Sequence, residues 1–216
     1  MEKWLARYDH SWVFLYWIVY LAWFGWLEEN VTSGYYVIQS ALDQWIPFHE
    51  LFVVPYLLWF PYVAAVIGWF FLHDKKEFYR LTAYLYLGMT IFLIVCTIFP
   101  NGVSLRPAVL PRDNILTELV RAIWTVDTPT NVLPSLHVYN SVVCCVAVFR
   151  DEQLGRSGWL KGIVLMLTIS IVLSTMFLKQ HSVIDVVTAL TMAGALYEVF
   201  YQPSGYRRAK KLGHMA

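Results

Sequence analysis

Six long apolar runs, separated by short polar connections, constrain this chain more than any other feature. They cover residues 12–27, 52–72, 81–99, 137–149, 162–178 and 182–201. A helix needs about 20 apolar residues to cross the hydrocarbon core, with about 17–25 usual. The first and fourth runs are shorter and need their neighbours to complete a span. A bilayer offers no water to backbone amides, so such runs fold as helices. The expected class is an all-α integral membrane protein of six transmembrane helices, one domain over residues 1–216. Composition agrees: 58% of the residues are hydrophobic and 14% charged, too apolar for an ordinary soluble domain. A formal net charge of +1 gives nucleic-acid binding no electrostatic support.

Orientation follows from the basic residues of the connections. With the N-terminus inside, twelve of the sixteen Lys and Arg residues lie on the inner side, including Lys3, Arg7, Lys75, Lys76, Arg80 and the tail from Arg207 to Lys211. Arg106, Arg112, Arg121 and Lys179 are left outside. Both termini are therefore expected in the cytoplasm. The basic tail reads as an anchor on anionic lipid. No small-residue cleavage site follows the first run, which is expected to stay as a helix. Cys96, Cys144 and Cys145 all fall inside apolar runs and read as free thiols packed between helices.

The connections carry local signals. Residues 40–48 form a short amphipathic element ended by Pro47. Pro55 and Pro61 fall within the second run and are expected to kink it. Residues 100–134 form the longest connection, and connections this long in compact proteins usually serve function. Within it, Ile115, Leu116, Leu119, Val120 and Ile123 recur at helical spacing, so residues 114–124 read as an amphipathic helix lying near the bilayer. Asp113, Arg112, Arg121 and Asp127 read as solvated loop charges. His10, His49, His73 and His214 have no partner pattern and read as surface residues.

Three polar clusters stand at the ends of apolar runs, all on the outer side. The first is Arg106-Pro107. The second is Pro134-Ser135-Leu136-His137, where the start of a helix offers free backbone N–H groups to an anion. The third spans residues 179–185, Lys-Gln-His-Ser-Val-Ile-Asp. On a helix, His181 and Asp185 would be neighbours on one face. The carboxylate would then hold one ring nitrogen and leave the other free as nucleophile or base. Ionisable residues paired at membrane helix ends point to a functional site.

With these residues in view, the chain resembles the type 2 phosphatidic acid phosphatase (PAP2) superfamily of lipid phosphatases and phosphotransferases. That family carries the motifs Lys-x6-Arg-Pro, Pro-Ser-Gly-His and Ser-Arg-x5-His-x3-Asp. Here Pro134-Ser135-Leu136-His137 matches the second. Ser174-Thr175, His181 and Asp185 match the spacing of the third, and Arg106-Pro107 closes the first. The matching stretch runs over about residues 99–185, with site segments 99–137 and 174–185. Phe99 stands for the Lys, Leu136 for the Gly and Thr175 for a phosphate-binding Arg. These departures bring the chain near the branch of sphingomyelin and inositol phosphorylceramide synthases.

The resemblance implies a PAP2-type helical bundle and a set of roles. His181 would attack phosphorus, Asp185 would orient its ring, and His137 would serve as acid and then base. Arg106, Ser135 and Lys179 would hold the phosphate oxygens, Lys179 standing in for a missing cation. No metal or other cofactor is expected. The partners are a lipid phosphate substrate and the bilayer, and the site faces the extracytoplasmic side of the cell membrane. The leading expectation is a phosphatase acting on a lipid phosphate or diphosphate at the outer leaflet. The alternative is a phosphotransferase that passes a phospho-headgroup to a lipid alcohol. A non-catalytic transporter is the third reading, disfavoured because transporters place ionisable groups near the midplane.

Overall fold

The structure is a computed structural model that describes residues 8–201. Lys3, Arg7, the basic tail and His214 lie outside the described residues. The chain is helical almost throughout. After a 3-10 turn at Asp9–Leu15 come α1 (Tyr16–Asn30), α2 (Val53–His73), α3 (Lys75–Ile98), α4 (Ile115–Val126), α5 (Leu136–Arg150), α6 (Gly158–Phe177) and α7 (Val183–Tyr201). Four of these, α2 (counted from Glu50), α3, α6 and α7, are long and apolar enough to cross a membrane. The expectation of six is met by length and composition in four helices. The other two candidates, α1 and α5, have 15 residues each. The turn at Asp9–Leu15 runs directly into α1.

Helix α5 is the central helix. Its residues Val138, Tyr139, Val143, Cys144 and Ala147 are buried, and it packs against α2, α3, α6 and α7. Among the described glycines the tightest approach is at Gly88 of α3, where a Cβ would lie 2.1 Å from the ring of Tyr139. Only glycine admits that ring, whose hydroxyl reaches the carbonyl of Tyr84 at 2.6 Å. Helix α1 packs on α3 through Tyr20, Leu27, Met89, Phe92 and Leu93. Outward faces stay apolar, with Ile18, Phe60, Met166 and Val187 each more than half exposed. A helix that is hydrophobic all round suits lipid on its outer side.

Side-chain caps define the helix starts. Asp74 accepts from the N–H of Glu77 at α3, Ser135 from Val138 at α5 and Ser157 from Leu160 at α6. Asn114 forms a reciprocal capping box with Thr117 at α4, which is the amphipathic helix expected from the sequence. Pro55 sits in the first turn of α2, where its missing N–H leaves no gap in the ladder. Only Pro61 lies in the helix interior, and α2 continues through it. His10 is a correction to the sequence reading. It is 2% exposed, bonds the carbonyl of Phe71 at 3.0 Å and packs between Phe71 and Phe78.

The connections on one side of the bundle are stitched together. Two short parallel strands, β1 (Tyr36–Val37) and β2 (Asn101–Gly102), join the first to the second. Gly102 also bridges Thr130, and a Cβ there would lie 2.7 Å from the carbonyl oxygen of Pro129. Asn101, fully buried, accepts from the N–H groups of Val132 and Leu133 at 3.0 and 2.9 Å. Glu28, at the end of α1, accepts from Thr128 and Asn131 at 2.5 and 2.6 Å. These bonds fix the segment that enters α5 at Ser135.

Candidate active site

His181 stands in the turn between α6 and α7, not on a helix. The sequence reading placed it with Asp185 on one helix face; α7 begins at Val183, so the pair forms across the helix entrance instead. His181 Nδ1 lies 3.4 Å from Asp185 Oδ2. The same Oδ2 accepts from the N–H of Ser182 at 2.8 Å, which caps the helix with a residue of its own first turn. His181 is 8% exposed and Asp185 fully buried. The turn closes by two bonds, the N–H groups of Gln180 and His181 both reaching the carbonyl of Thr175 at 2.9 and 3.0 Å. Thr175 directs its own hydroxyl to the carbonyl of Val172.

His137 enters from the first turn of α5. Its ring centroid is 6.0 Å from that of His181, and it packs against Tyr56 and Trp59 of α2 at 4.5 Å each. Ser135 caps α5, and its N–H donates to the carbonyl of Asp185 at 3.3 Å. The start of α5 is thereby joined to the first turn of α7. The two histidines and the aspartate, about forty residues apart in sequence, meet in one place.

Arg106 belongs to the same cluster. Its guanidinium donates to the carbonyls of Trp124 and Asp127 at 2.9 and 2.5 Å. It also donates to Gln180 Oε1 at 2.6 Å and lies over the Trp124 ring. Burial shifts its pKa down, while Asp127 and Tyr56 pull it up. Asp127 is not a solvated loop charge: its carboxylate accepts from the hydroxyl of Tyr56 and from Gln180 Nε2 at 3.0 Å. Gln180, 3% exposed and next to His181 in sequence, thus joins Arg106, Asp127 and Tyr56. Arg112 is also engaged, pairing at 2.8 Å with the buried Glu50.

Lys179 is directed elsewhere. It adopts a positive φ of 59°, and its ammonium donates to the carbonyls of Asp43, at 3.0 Å, and Ile46. Burial lowers its pKa, with Asp43 opposing. Asp43 itself reaches the entrance of α7. Its carboxylate accepts from Ser182 Oγ at 2.7 Å, from Val183 N–H at 2.8 Å and from Ser40 N–H at 2.6 Å. Segment 40–46 and the His181 turn therefore hold each other from both sides.

Several buried polar atoms here have no hydrogen-bond partner among the described residues: His181 Nδ1, Asp185 Oδ1, Arg106 Nε and Trp59 Nε1. Buried polar atoms are ordinarily satisfied, so their gathering at one place marks a site with bonding capacity in reserve. Among the described residues no group of three or more His, Cys, Asp or Glu is arranged to hold a metal ion.

Sequence reasoning singled out His137, His181, Asp185, Arg106 and Ser135, which the structure brings together; it did not single out Asp43, Gln180 or Tyr56. Ser40-x-x-Asp43 was a visible capping pattern; nothing in it told of the long-range bonds to Ser182 and Val183. A family model described as the PAP2 superfamily matches residues 81–209. Neither a curated protein nor a solved structure matches the chain.

Proposed function

The chain belongs to the PAP2 superfamily, a family of phosphatase and phosphotransferase type, and from that premise we propose that it is a membrane-embedded lipid phosphate phosphatase working through a phosphohistidine. The observation that carries this reading is the convergence of His181, Asp185, His137 and Arg106, with unsatisfied polar atoms on three of them.

Asp185 faces Nδ1 of His181 and leaves Nε2 free. Nε2 attacks phosphorus, a P–N bond forms, and the P–O bond to the alcohol breaks. His137, on the far side of the phosphoryl group, gives its proton to the departing alkoxide. It then takes a proton from water, whose oxygen attacks phosphorus, breaks the P–N bond and frees phosphate. Asp185 stabilises the imidazolium in both steps. Arg106 offers its charge and its free Nε–H to the equatorial oxygens as charge builds. Ser135 supports the site by fixing the start of α5.

Six spans suit the family. The continuous stretch from Asp9 to Asn30 supplies one, and the buried α5 another. The distribution of Lys and Arg supports cytoplasmic termini and a site at the outer leaflet. The motif departures Phe99, Leu136 and Thr175 favour one second reading, transfer of the phosphoryl headgroup to a lipid alcohol. It differs only in what attacks the intermediate.

The test is the full chain in nanodiscs with phosphatidate, phosphatidylglycerophosphate or undecaprenyl diphosphate, reading released phosphate and new lipids together. Phosphate from the wild type but not from His181→Ala supports the phosphatase. A headgroup moved to an added lipid alcohol, without phosphate, supports the transferase. Equal release from wild type and variant contradicts both.

A further inference from the structure

Asp127 directs a single carboxylate oxygen to two partners, and each partner leads to a different side of the site. Its Oδ2 accepts from the hydroxyl of Tyr56 and, at 3.0 Å, from Gln180 Nε2. Gln180 Nε2 also lies 3.3 Å from the Tyr56 hydroxyl. The three residues come from α2, the end of α4 and the His181 turn. Tyr56 and Gln180 are buried, where an unpaired hydroxyl or amide is costly, so both are held to this oxygen.

Gln180 passes the position on to Arg106. A carboxylate only accepts, a guanidinium only donates, and an amide does one at each end. With Nε2 on Asp127, Oε1 is left for Arg106 Nη2, at 2.6 Å. The backbone carbonyl of Asp127 takes the same Nη2. Arg106 is thus oriented through an amide and a carbonyl rather than through a carboxylate ion pair, and its Nε stays unbonded. Tyr56 passes the position on to His137. Among the described residues the imidazole of His137 takes no hydrogen bond, so the rings packed on it set its place. One of them is Tyr56, at 4.5 Å and 31°, and the hydroxyl of that ring is tied to Asp127.

We propose that Asp127 is a positioning residue shared by both halves of the site, its one oxygen placing Arg106 through Gln180 and His137 through Tyr56. Holding the phosphate and moving the proton are then set from a common point, by a side chain that acts only through its neighbours. The inference rests on the phosphatase reading for the roles of Arg106 and His137.

The experiment compares kcat/KM and KM for phosphatidate and for p-nitrophenyl phosphate, with the full chain in nanodiscs. Nitrophenolate leaves without a proton, so the second substrate calls on Arg106 but little on an acid at His137. Tyr56→Phe keeps the ring and loses its bond to Asp127. It should slow phosphatidate about tenfold more than p-nitrophenyl phosphate. Asp127→Ala should raise KM for both substrates about tenfold as Gln180 releases Arg106, and slow phosphatidate further. Adding Tyr56→Phe to Asp127→Ala should cost little more, since the oxygen both act through is already gone. Asp127→Asn, whose amide oxygen can stand where Oδ2 stood, should keep both substrates within about threefold of the wild type. An Asp127 that only supports the fold would slow the two substrates alike with KM unchanged, and that result overturns the proposal. So does Asp127→Asn as slow as Asp127→Ala, or a Tyr56→Phe effect equal on both substrates. Should Asp127→Ala not fold, Tyr56→Phe and Asp127→Asn decide alone. Failure of the phosphatase reading looks different: the wild type would release no phosphate from either substrate, or no more than His181→Ala, and the proposal would fall with it.

Discussion

The two ends of the bundle treat charge differently. At the end bearing Asp9 and Asp74, ions pair with one another close to the surface. Lys75 meets Asp9 at 2.6 Å with both side chains about half exposed, and Arg80 meets Glu77 one helical turn away. At the opposite end, beside ion pairs such as Arg112 with Glu50, three buried or half-buried charged groups are bonded to neutral partners from distant segments. Asp43 holds Ser182 and Val183, Arg106 holds Gln180 and two carbonyls, and Glu28 holds Thr128 and Asn131. Exposed pairs contribute little because water competes and the side chains lose freedom. A buried carboxylate with three donors cannot be removed without leaving those donors unsatisfied. One end therefore decorates the bundle, while the other specifies the relative position of five segments.

That contrast is open to test. The largest effect should come from His181→Ala, which is expected to cut phosphate release by about four orders of magnitude or more, as for loss of a covalent nucleophile. Its denaturation midpoint should fall by only a few degrees, since the backbone bonds to Thr175 that close the turn remain while the buried Asp185 loses its partner. Next comes Asp43→Ala, which strands the N–H groups of Ser40 and Val183 and the hydroxyl of Ser182. It should cost about 3 kcal/mol of stability, and turnover should fall about a hundredfold as the His181 turn loosens. Asp43→Asn should restore part of both, as it keeps one acceptor. Gln180→Ala comes third, with about a tenfold loss of turnover as Arg106 and Asp127 lose their common partner, and a smaller change in melting temperature. Last is Lys75→Ala at the other end, where neither turnover nor melting temperature should change measurably. A Lys75 variant as damaging as the Asp43 variant would erase the distinction between the ends.

How much of this was legible in the sequence depended on the range of each interaction. Each apolar run fell on a helix, with ends off by up to six residues, and four of the six helices are long and apolar enough to cross a membrane, because burial in lipid or core writes itself as continuous hydrophobicity. The amphipathic period of Ile115, Leu119 and Ile123 located α4. The His181, His137 and Arg106 clusters were visible because motif spacing and the ends of the runs coincide. What was lost was non-local. Asp43 accepts from residues 139 and 140 positions away, and no local pattern announces that. Asp127 looked like a loop charge because its partners, Tyr56 and Gln180, lie on other segments. His10 looked exposed because the aromatic residues that enclose it come from α2 and α3. Placing His181 on the helix failed by two residues, and the Asp43 and Asp185 bonds to Ser182 and Val183 explain why α7 starts later.

The most direct test of the central claim is covalent. Wild-type protein in nanodiscs would be mixed with a phosphate-labelled lipid substrate, quenched within a turnover and mapped by mass spectrometry. The account predicts an acid-labile phosphate on the peptide carrying His181, absent from His181→Ala. Phosphate release in full with no label at His181, or with the label on another residue, would contradict it.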